Sequence, residues 1–168
     1  MFNRIMIPLD GSELAEAALP IAKRIALALD SEVHLVSVPE DELTVSQRIV
    51  GYTWIGAEKR LEDIREERRA YLAEVKERFS AENIPTHTKL LKGDVATALI
   101  EYASAIEADL VVMCTHGRTG LTRWALGSIA ERVTRKLDRP LLLVREDTTL
   151  NHLGVFHLLI YEKEVPSV

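Results

Sequence analysis

Residues 108–140, ADLVVMCTHGRTGLTRWALGSIAERVTRKLDRP, decide the fold. They begin with an almost wholly apolar run, pass through a glycine-bearing loop, and enter a helical pattern that opens at Gly127 and Ser128. α/β proteins build phosphate cradles in this way, because unpaired backbone N–H groups and the positive end of the helix dipole converge there on an anion. The stretch therefore favours an α/β nucleotide-binding module.

The same alternation of apolar runs and helical periods extends over most of the chain. Strands are predicted at residues 4–9, 32–38, 86–91, 108–114 and 140–144, with helical spacing at 14–29, 61–79, 95–106 and 129–137. Five βα repeats predict a doubly wound, five-stranded parallel sheet with helices on both faces. The strand at 86–91 is polar enough for a sheet edge, and Pro20 is expected to kink or loosen the first helix.

Two segments do not fit this alternation. Residues 39–56 have no clean period and are predicted to form a long connection, which is either functional or disordered. Residues 147–168 form a C-terminal tail after a domain at 1–146, and the segment GVFHLLIY within it is compatible with one further strand.

Composition excludes several classes of protein. The 168 residues predict one domain, and a formal net charge of −5 argues against a general nucleic-acid binder. The N-terminal apolar run is too short for a signal peptide, and none reaches the length of a membrane helix, so a cytoplasmic protein is expected. A single cysteine excludes an intrachain disulfide. His34, His87, His152 and His157 show no metal-ligand spacing, so no metal site is predicted.

Three motifs resemble the universal stress protein family: IMIPLDGSELAEAALPIA at 5–22, GDVATALIEYA at 93–103, and VVMCTHGRTGLTRWALGSIAERVTRKLDRPLLLV at 111–144. The resemblance covers about residues 3–145. It implies strand order 3-2-1-4-5 and an ATP site at the carboxyl ends of strands 1 and 4. Open α/β sheets in general bind ligands at such a topological switch point.

The ATP-binding members of that family share the signature G-x2-G-x9-G-[ST]. The matching positions here are Cys114, Gly117, Gly127 and Ser128, so a cysteine replaces the first glycine. A Cβ at that position pushes outward against a closely approaching ligand. We therefore expect a weakened or shifted site more than an abolished one.

The resemblance also implies a role for individual residues. Asp10 would contact the adenosine, although capping of the first helix is the simpler alternative, and Met113 would lie against the nucleoside. Pro8 and Val38 would line the adenine pocket, or else be ordinary core residues. The phosphate-contacting residues would be Gly117, Gly127, Ser128 and Ile129, with Arg118 and Arg123 as cations from the loop.

The leading functional prediction is a stress-response protein that binds ATP, or AMP or ADP, with Mg²⁺. A nucleotide-free dimeric interaction module is the alternative. A slow ATPase ranks third, because the P-loop lysine motif is absent and no residue stands out as a base.

The last predicted strand begins at Pro140 and ends at Val144, and it lies at a sheet edge in the order 3-2-1-4-5. An exposed apolar edge of this kind invites pairing with another chain. The resemblance implies a homodimer through this strand. The tail would pair with it in the same chain or extend the interface between two chains.

Overall fold

The computed structural model describes residues 2–39, 54–115, 127–145 and 159–161. Within these ranges six strands form a single sheet. They are β1 (Arg4–Pro8), β2 (Glu32–Ser37), β3 (Thr86–Leu90), β4 (Leu110–Thr115), β5 (Leu141–Arg145) and β6 (Leu159–Tyr161). Their order across the sheet is β3-β2-β1-β4-β5-β6, and the first five run parallel. The predicted five-stranded order is therefore confirmed, with the polar strand β3 at one edge.

Helices cover both faces of the sheet. They are α1 (Glu13–Glu16), α2 (Leu19–Leu29), α3 (Trp54–Ser80), α4 (Val95–Ala105) and α5 (Ser128–Lys136). One apolar cluster packs α2 and α3 against strand residues such as Ile5 and Leu35. A second cluster packs α4 and α5 against the opposite face, where Met6 and Val111 lie. Neighbouring residues of one strand thus enter different cores, which explains why β1 and β4 are almost continuously apolar.

Pro20 divides the first predicted helix into two. α1 ends at Glu16, α2 begins at Leu19, and Pro20 occupies the first turn of α2. Proline has no backbone N–H to donate to the carbonyl four residues earlier, and its ring crowds that carbonyl. The chain between the helices uses tighter bonds instead, such as that from the Ala18 N–H to the Ala15 carbonyl at 3.2 Å. The predicted loosening is therefore a local one, since Ala17 and Ala18 between the two helices keep right-handed helical backbone angles.

α3 begins at Trp54, within the segment predicted as a connection, and residues 40–53 lie outside the described ranges. The outer face of this helix is charged. Arg69 donates hydrogen bonds to the carboxylates of Glu62 and Glu66 at 3.1 and 2.9 Å, and all three side chains are exposed. Such surface pairs contribute little to stability, so this face is mainly a solvated covering of the core.

The fifth strand does not lie at the edge of the sheet, and the alternative in which the tail pairs with it in the same chain is confirmed. β6, which belongs to the GVFHLLIY segment, pairs antiparallel with the outer edge of β5, so β5 is an inner strand. The register pairs Leu141 with Tyr161 and Leu143 with Leu159. Burying an apolar edge removes an unpaired row of backbone groups, and this is the physical reason for the extra strand.

Candidate functional site

A cavity of about 310 Å³ lies at the carboxyl ends of β1 and β4. The sheet order reverses between these two strands, since β1 continues towards β2 on one side and β4 towards β5 on the other. The amino-terminal turns of α1, α4 and α5 close the remaining walls. A cavity at this position is where open α/β sheets bind small molecules.

Most of the residues predicted from the sequence meet in this cavity. Eight line it: Pro8, Asp10, Val38, Met113, Cys114, Gly127, Ser128 and Ile129. The other three, Gly117, Arg118 and Arg123, lie outside the described residues. The structure thus brings together predicted residues from the ends of β1 and β4 and from the start of α5. The binding role of each residue stays a prediction.

The inner wall of the cavity is apolar. Val36 and Leu99 are buried, Met113 is 7% exposed, and Pro8 and Val38 are half-buried. These residues come from three neighbouring strands and from α4, so the wall follows the sheet surface. An apolar wall with few polar groups is typical of a site for a planar organic group such as a base.

Asp10 lies at the rim, directly after β1, and it does not cap α1. The Asp10 carboxylate accepts hydrogen bonds from the backbone N–H and the hydroxyl of Ser12, at 2.9 and 2.5 Å, both through Oδ1. Ser12 is the N-cap, because its hydroxyl accepts a bond from the Ala15 N–H at 3.1 Å. The capping alternative for Asp10 is therefore wrong, and no described residue donates to its Oδ2.

Gly11 makes the turn between these two residues. Its φ of +79° lies in the left-handed region, and a Cβ there would fall 1.9 Å from Nη1 of Arg68. Any larger residue would therefore strain the backbone and displace Arg68.

The amino terminus of α5 forms the opposite rim. Gly127 is the N-cap and provides no side-chain hydrogen bond, while its carbonyl accepts the N–H of Glu131 at 2.9 Å. The N–H groups of the first turn, including those of Ser128 and Ile129, precede the first helical bond and need acceptors from elsewhere. The amino terminus of this nine-residue helix therefore opens onto the cavity with unpaired N–H groups, an arrangement that suits the binding of an anion.

Cys114 and Thr115 end β4 inside the cavity. Cys114 is half-buried, and its thiol lies 3.7 Å from the Thr115 carbonyl. The Thr115 hydroxyl is buried and has no hydrogen-bond partner within the part of the chain that the structure describes. An orphaned hydroxyl beside a cavity fits a polar ligand atom, because leaving it unpaired costs free energy.

Sequence reasoning missed several lining residues, namely Leu9, Ser12, Leu14, Ala15, Val36, Val95, Leu99, Thr115 and Ala130. Two of them carried a usable signal. Val95 and Leu99 occupy the inward positions of a helix whose amino terminus follows a strand end, and such positions reach the carboxyl edge of the sheet.

Charge is sparse around the cavity. Among the described lining residues, Asp10 is the one ionisable carboxylate, and none is a lysine or arginine. At the amino terminus of α4, next to the lining residue Val95, Asp94 pairs with Arg132 of α5. The hydrogen bond from Arg132, followed by those from the hydroxyl and N–H of Thr97, holds the pKa of Asp94 far below its usual range.

Away from the cavity, the fold brings together His34 and His87, which show no metal-ligand spacing in the sequence. The two residues are Cα partners on β2 and β3, and their rings stack with centroids 4.9 Å apart. Burial lowers the pKa of His34, and the hydrogen bond from Arg4 lowers the pKa of the neighbouring Glu32.

Comparisons with known proteins agree on one family. The model of the universal stress protein family matches residues 1–145. Universal stress protein MJ0531 of Methanocaldococcus jannaschii is 36% identical over 146 residues, which cover 87% of this chain and 84% of that protein. Universal stress protein YxiE of Bacillus subtilis is 25% identical over 149 residues, covering 86% of this chain and all of that protein.

Solved structures share the fold. The structure of MJ0577, the subject of a structure-based assignment of biochemical function, matches with a TM-score of 0.73 at 24% identity, covering 89% of this chain and 99% of that one. A universal stress protein in complex with cAMP matches with a TM-score of 0.59 at 22% identity, covering 86% and 97%. None of the helices in the described ranges is both long and apolar enough to cross a membrane.

Proposed function

Because this chain belongs to the universal stress protein family, we propose that it is a stress-response protein that binds an adenine nucleotide in the cavity at the carboxyl ends of β1 and β4. ATP with Mg²⁺ is the first ligand to test, followed by ADP and AMP. A protein of the same fold was solved with cAMP, which supports adenine nucleotides as the class to examine.

The observation that carries the proposal is the arrangement of opposite chemistries around one cavity. An apolar wall containing Val36, Val38 and Met113 suits a base, and Asp10 at the rim has a carboxylate oxygen available for ribose hydroxyls. Across the cavity, the backbone N–H groups of Ser128 and Ile129 would donate hydrogen bonds to phosphate oxygens. The described residues add no cation there, so charge neutralisation falls to Mg²⁺ and to the predicted Arg118 and Arg123.

Cys114 favours the second candidate, a nucleotide-free interaction module. Its side chain lines the cavity at the position where the signature has glycine. If the Cβ and sulfur occupy space that a triphosphate needs, binding is lost while the fold is retained. The two candidates therefore differ in whether the cavity admits the nucleotide.

The first experiment identifies any nucleotide that the protein carries. Freshly purified protein is denatured, and the supernatant is analysed by chromatography and mass spectrometry. Stoichiometric ATP, ADP or AMP supports the proposal. An empty protein is next titrated with Mg-ATP by calorimetry, and absence of heat at millimolar ATP would favour the nucleotide-free module.

Substitution of Asp10 tests whether binding occurs in this cavity. We expect D10A to weaken nucleotide binding by about ten- to a hundredfold, because hydrogen bonds to a charged group contribute about 1.5–3 kcal/mol. D63A, which removes an exposed carboxylate from α3, is the matched control and should bind like wild type. Equal affinity of D10A and D63A would exclude Asp10 from the site. Phosphate release above background that D10A abolishes would support the slow ATPase instead.

We also propose a homodimer at the β5–β6 end of the sheet. The edge of β5 is covered by β6 of the same chain, so within the described residues the short strand β6 forms this edge of the sheet and would face a partner. In this arrangement the tail extends the interface. Direct pairing of two chains through the strand from Pro140 to Val144 would require β6 to dissociate from β5.

A further inference from the structure

Three potential metal ligands converge on one face of the sheet, away from the cavity. His34 on β2 and His87 on β3 are paired in the parallel register, and Glu32 precedes His34 by two residues on the same face of β2. One ligand atom from each residue lies within 4.8 Å of the others. His87 lies more than fifty residues after Glu32 and His34 in sequence, so only the folded chain presents all three together.

Two of the separations between the ligand atoms are close to those around a metal ion, and each involves a different oxygen of Glu32. Nε2 of His34 lies 3.5 Å from Oε1 of Glu32, and Nε2 of His87 lies 3.8 Å from Oε2. A tetrahedral Zn²⁺ with bonds of about 2.0–2.2 Å holds its ligand atoms about 3.3–3.6 Å apart. Small rotations of the side chains are enough to close the difference, and the exposed side chain of His87 leaves room for them.

Two neighbours hold the ligands in suitable orientations. The Tyr102 hydroxyl of α4 lies 3.3 Å from Nδ1 of His34, so an Nδ1–H donated to it leaves the lone pair of Nε2 directed towards Glu32. Nε of Arg4 donates to Oε1 of Glu32 at 2.5 Å, which leaves Oε2 for a metal. Outer partners of this kind fix the ring orientation and the carboxylate at metal sites.

Arg4 also sets a limit on affinity. Its guanidinium competes with a cation for the Glu32 carboxylate and repels it by charge. A second hydrogen bond, from Nη1 of Arg4 to the Ile106 carbonyl, restricts rotation of the guanidinium and holds it beside Glu32. The arrangement thus suits an ion that obtains most of its binding free energy from imidazole nitrogens and less from the carboxylate charge.

We propose that Glu32, His34 and His87 bind one divalent transition-metal ion, with Zn²⁺ as the first candidate. Two imidazoles and one carboxylate suit zinc, nickel, copper and cobalt and disfavour Mg²⁺ and Ca²⁺, which prefer sets of oxygen ligands. His87 is 59% exposed, so a fourth coordination position faces solvent and takes water. The ion would join edge strand β3 to β2.

The test is a calorimetric titration of full-length, chelator-treated protein with ZnCl₂ in the absence of nucleotide. We expect one Zn²⁺ per chain in wild type and at least about tenfold weaker binding in H87Q, which loses a ligand and not merely an outer partner. H152Q removes a histidine of the tail and serves as the matched control, with unchanged affinity. Because His87 is exposed, H87Q should fold, and circular dichroism checks that it does.

Two further readouts separate this site from binding elsewhere. Zn²⁺ should raise the Tm of wild type and of H152Q and leave that of H87Q unchanged, since a ligand of the folded state alone stabilises it. Y102F keeps all three ligands and should bind about tenfold more weakly. No uptake by wild type at millimolar Zn²⁺, or equal affinity of wild type and H87Q, would overturn the proposal.

Discussion

Asp94 and Arg132 join the amino terminus of α4 to the first half of α5 through two parallel hydrogen bonds. Nη1 of Arg132 donates to Oδ2 of Asp94 at 2.8 Å, and Nη2 donates to Oδ1 at 2.5 Å. The same carboxylate caps α4 by accepting the Thr97 N–H at 3.1 Å. One side chain therefore begins one helix and fixes its neighbour, and both helices border the cavity.

This relationship predicts an acid-dependent loss of stability. The pKa of Asp94 is lowered in the folded state, so the unfolded chain binds the proton more readily. The stabilisation is fully present above the unfolded value of 3.8 and is lost as the pH falls from there through the folded pKa. Urea unfolding of wild type and D94N at successive pH values should show a difference in free energy that shrinks below pH 3.8.

Asparagine at position 94 can still cap the helix, so D94N removes the charge of the side chain and keeps the cap. D63N is the control for a general effect of removing a carboxylate, and its difference from wild type should not follow the same course. A D94N difference that stays constant over the acid range would contradict the assignment.

Burial predicts very different costs for the same substitution at two leucines. Leu72 of α3 is 2% exposed within the core against β1 and β2, whereas Leu27 of α2 is 51% exposed. We expect L72A to lower the free energy of unfolding by about 2–5 kcal/mol through lost transfer energy and a cavity. L27A should change it by less than about 0.5 kcal/mol. Denaturant unfolding of both variants measures this, and comparable losses would contradict the packing of α3.

The size of residue 114 should control nucleotide affinity. If the Cys114 side chain crowds the ligand, C114A binds Mg-ATP about tenfold more tightly than wild type, since overpacking costs about 1–3 kcal/mol. C114G should bind at least as tightly, and calorimetry ranks the three proteins.

Glycine within a strand lowers stability by about 0.5–1 kcal/mol, so the Tm of each variant is measured without ligand as a control. Affinities that do not change from cysteine to alanine to glycine would show that residue 114 does not crowd the site.

The tail should affect self-association. Deletion of residues 148–168 removes β6, which we propose to extend the dimer interface, so the truncated chain should be a weaker dimer by light scattering. Point substitution of Leu159 by Lys on β6, which keeps the chain length, should act in the same direction. A dimer of unchanged strength after deletion would remove the tail from the interface and leave β5 as the pairing strand.

Local pattern was sufficient for much of the fold and of the candidate site. β1 and β4 are short, mostly apolar runs bounded by turn residues, and the resemblance supplied the order in which the strands lie. The residues predicted at the ends of β1 and β4 meet in one cavity because parallel strands end at the same edge of a sheet. Asp10 and Ser128 are therefore close in space although more than a hundred residues separate them.

Features that depend on register or on competition between partners were not predictable in this way. His34 and His87 meet because β2 and β3 pair at one particular offset, which no local spacing encodes. Asp10 and Ser12 both can cap a helix, and in the structure the Ser12 hydroxyl accepts the Ala15 N–H while Asp10 accepts the N–H of Ser12. The apolar edge of β5 indicated a partner strand, but the sequence left open whether the same chain provides it.

The reversed direction of β6 has a practical consequence for labelling the protein. β6 runs back along β5, and its last residue, Tyr161, lies beside Leu141 at the amino end of the parallel strands. The cavity opens at the other end of those strands. A fluorophore or surface-immobilisation tag joined after Tyr161 therefore starts on the side of the sheet opposite the cavity mouth, so ligand can be added to a tethered molecule without crossing the tether.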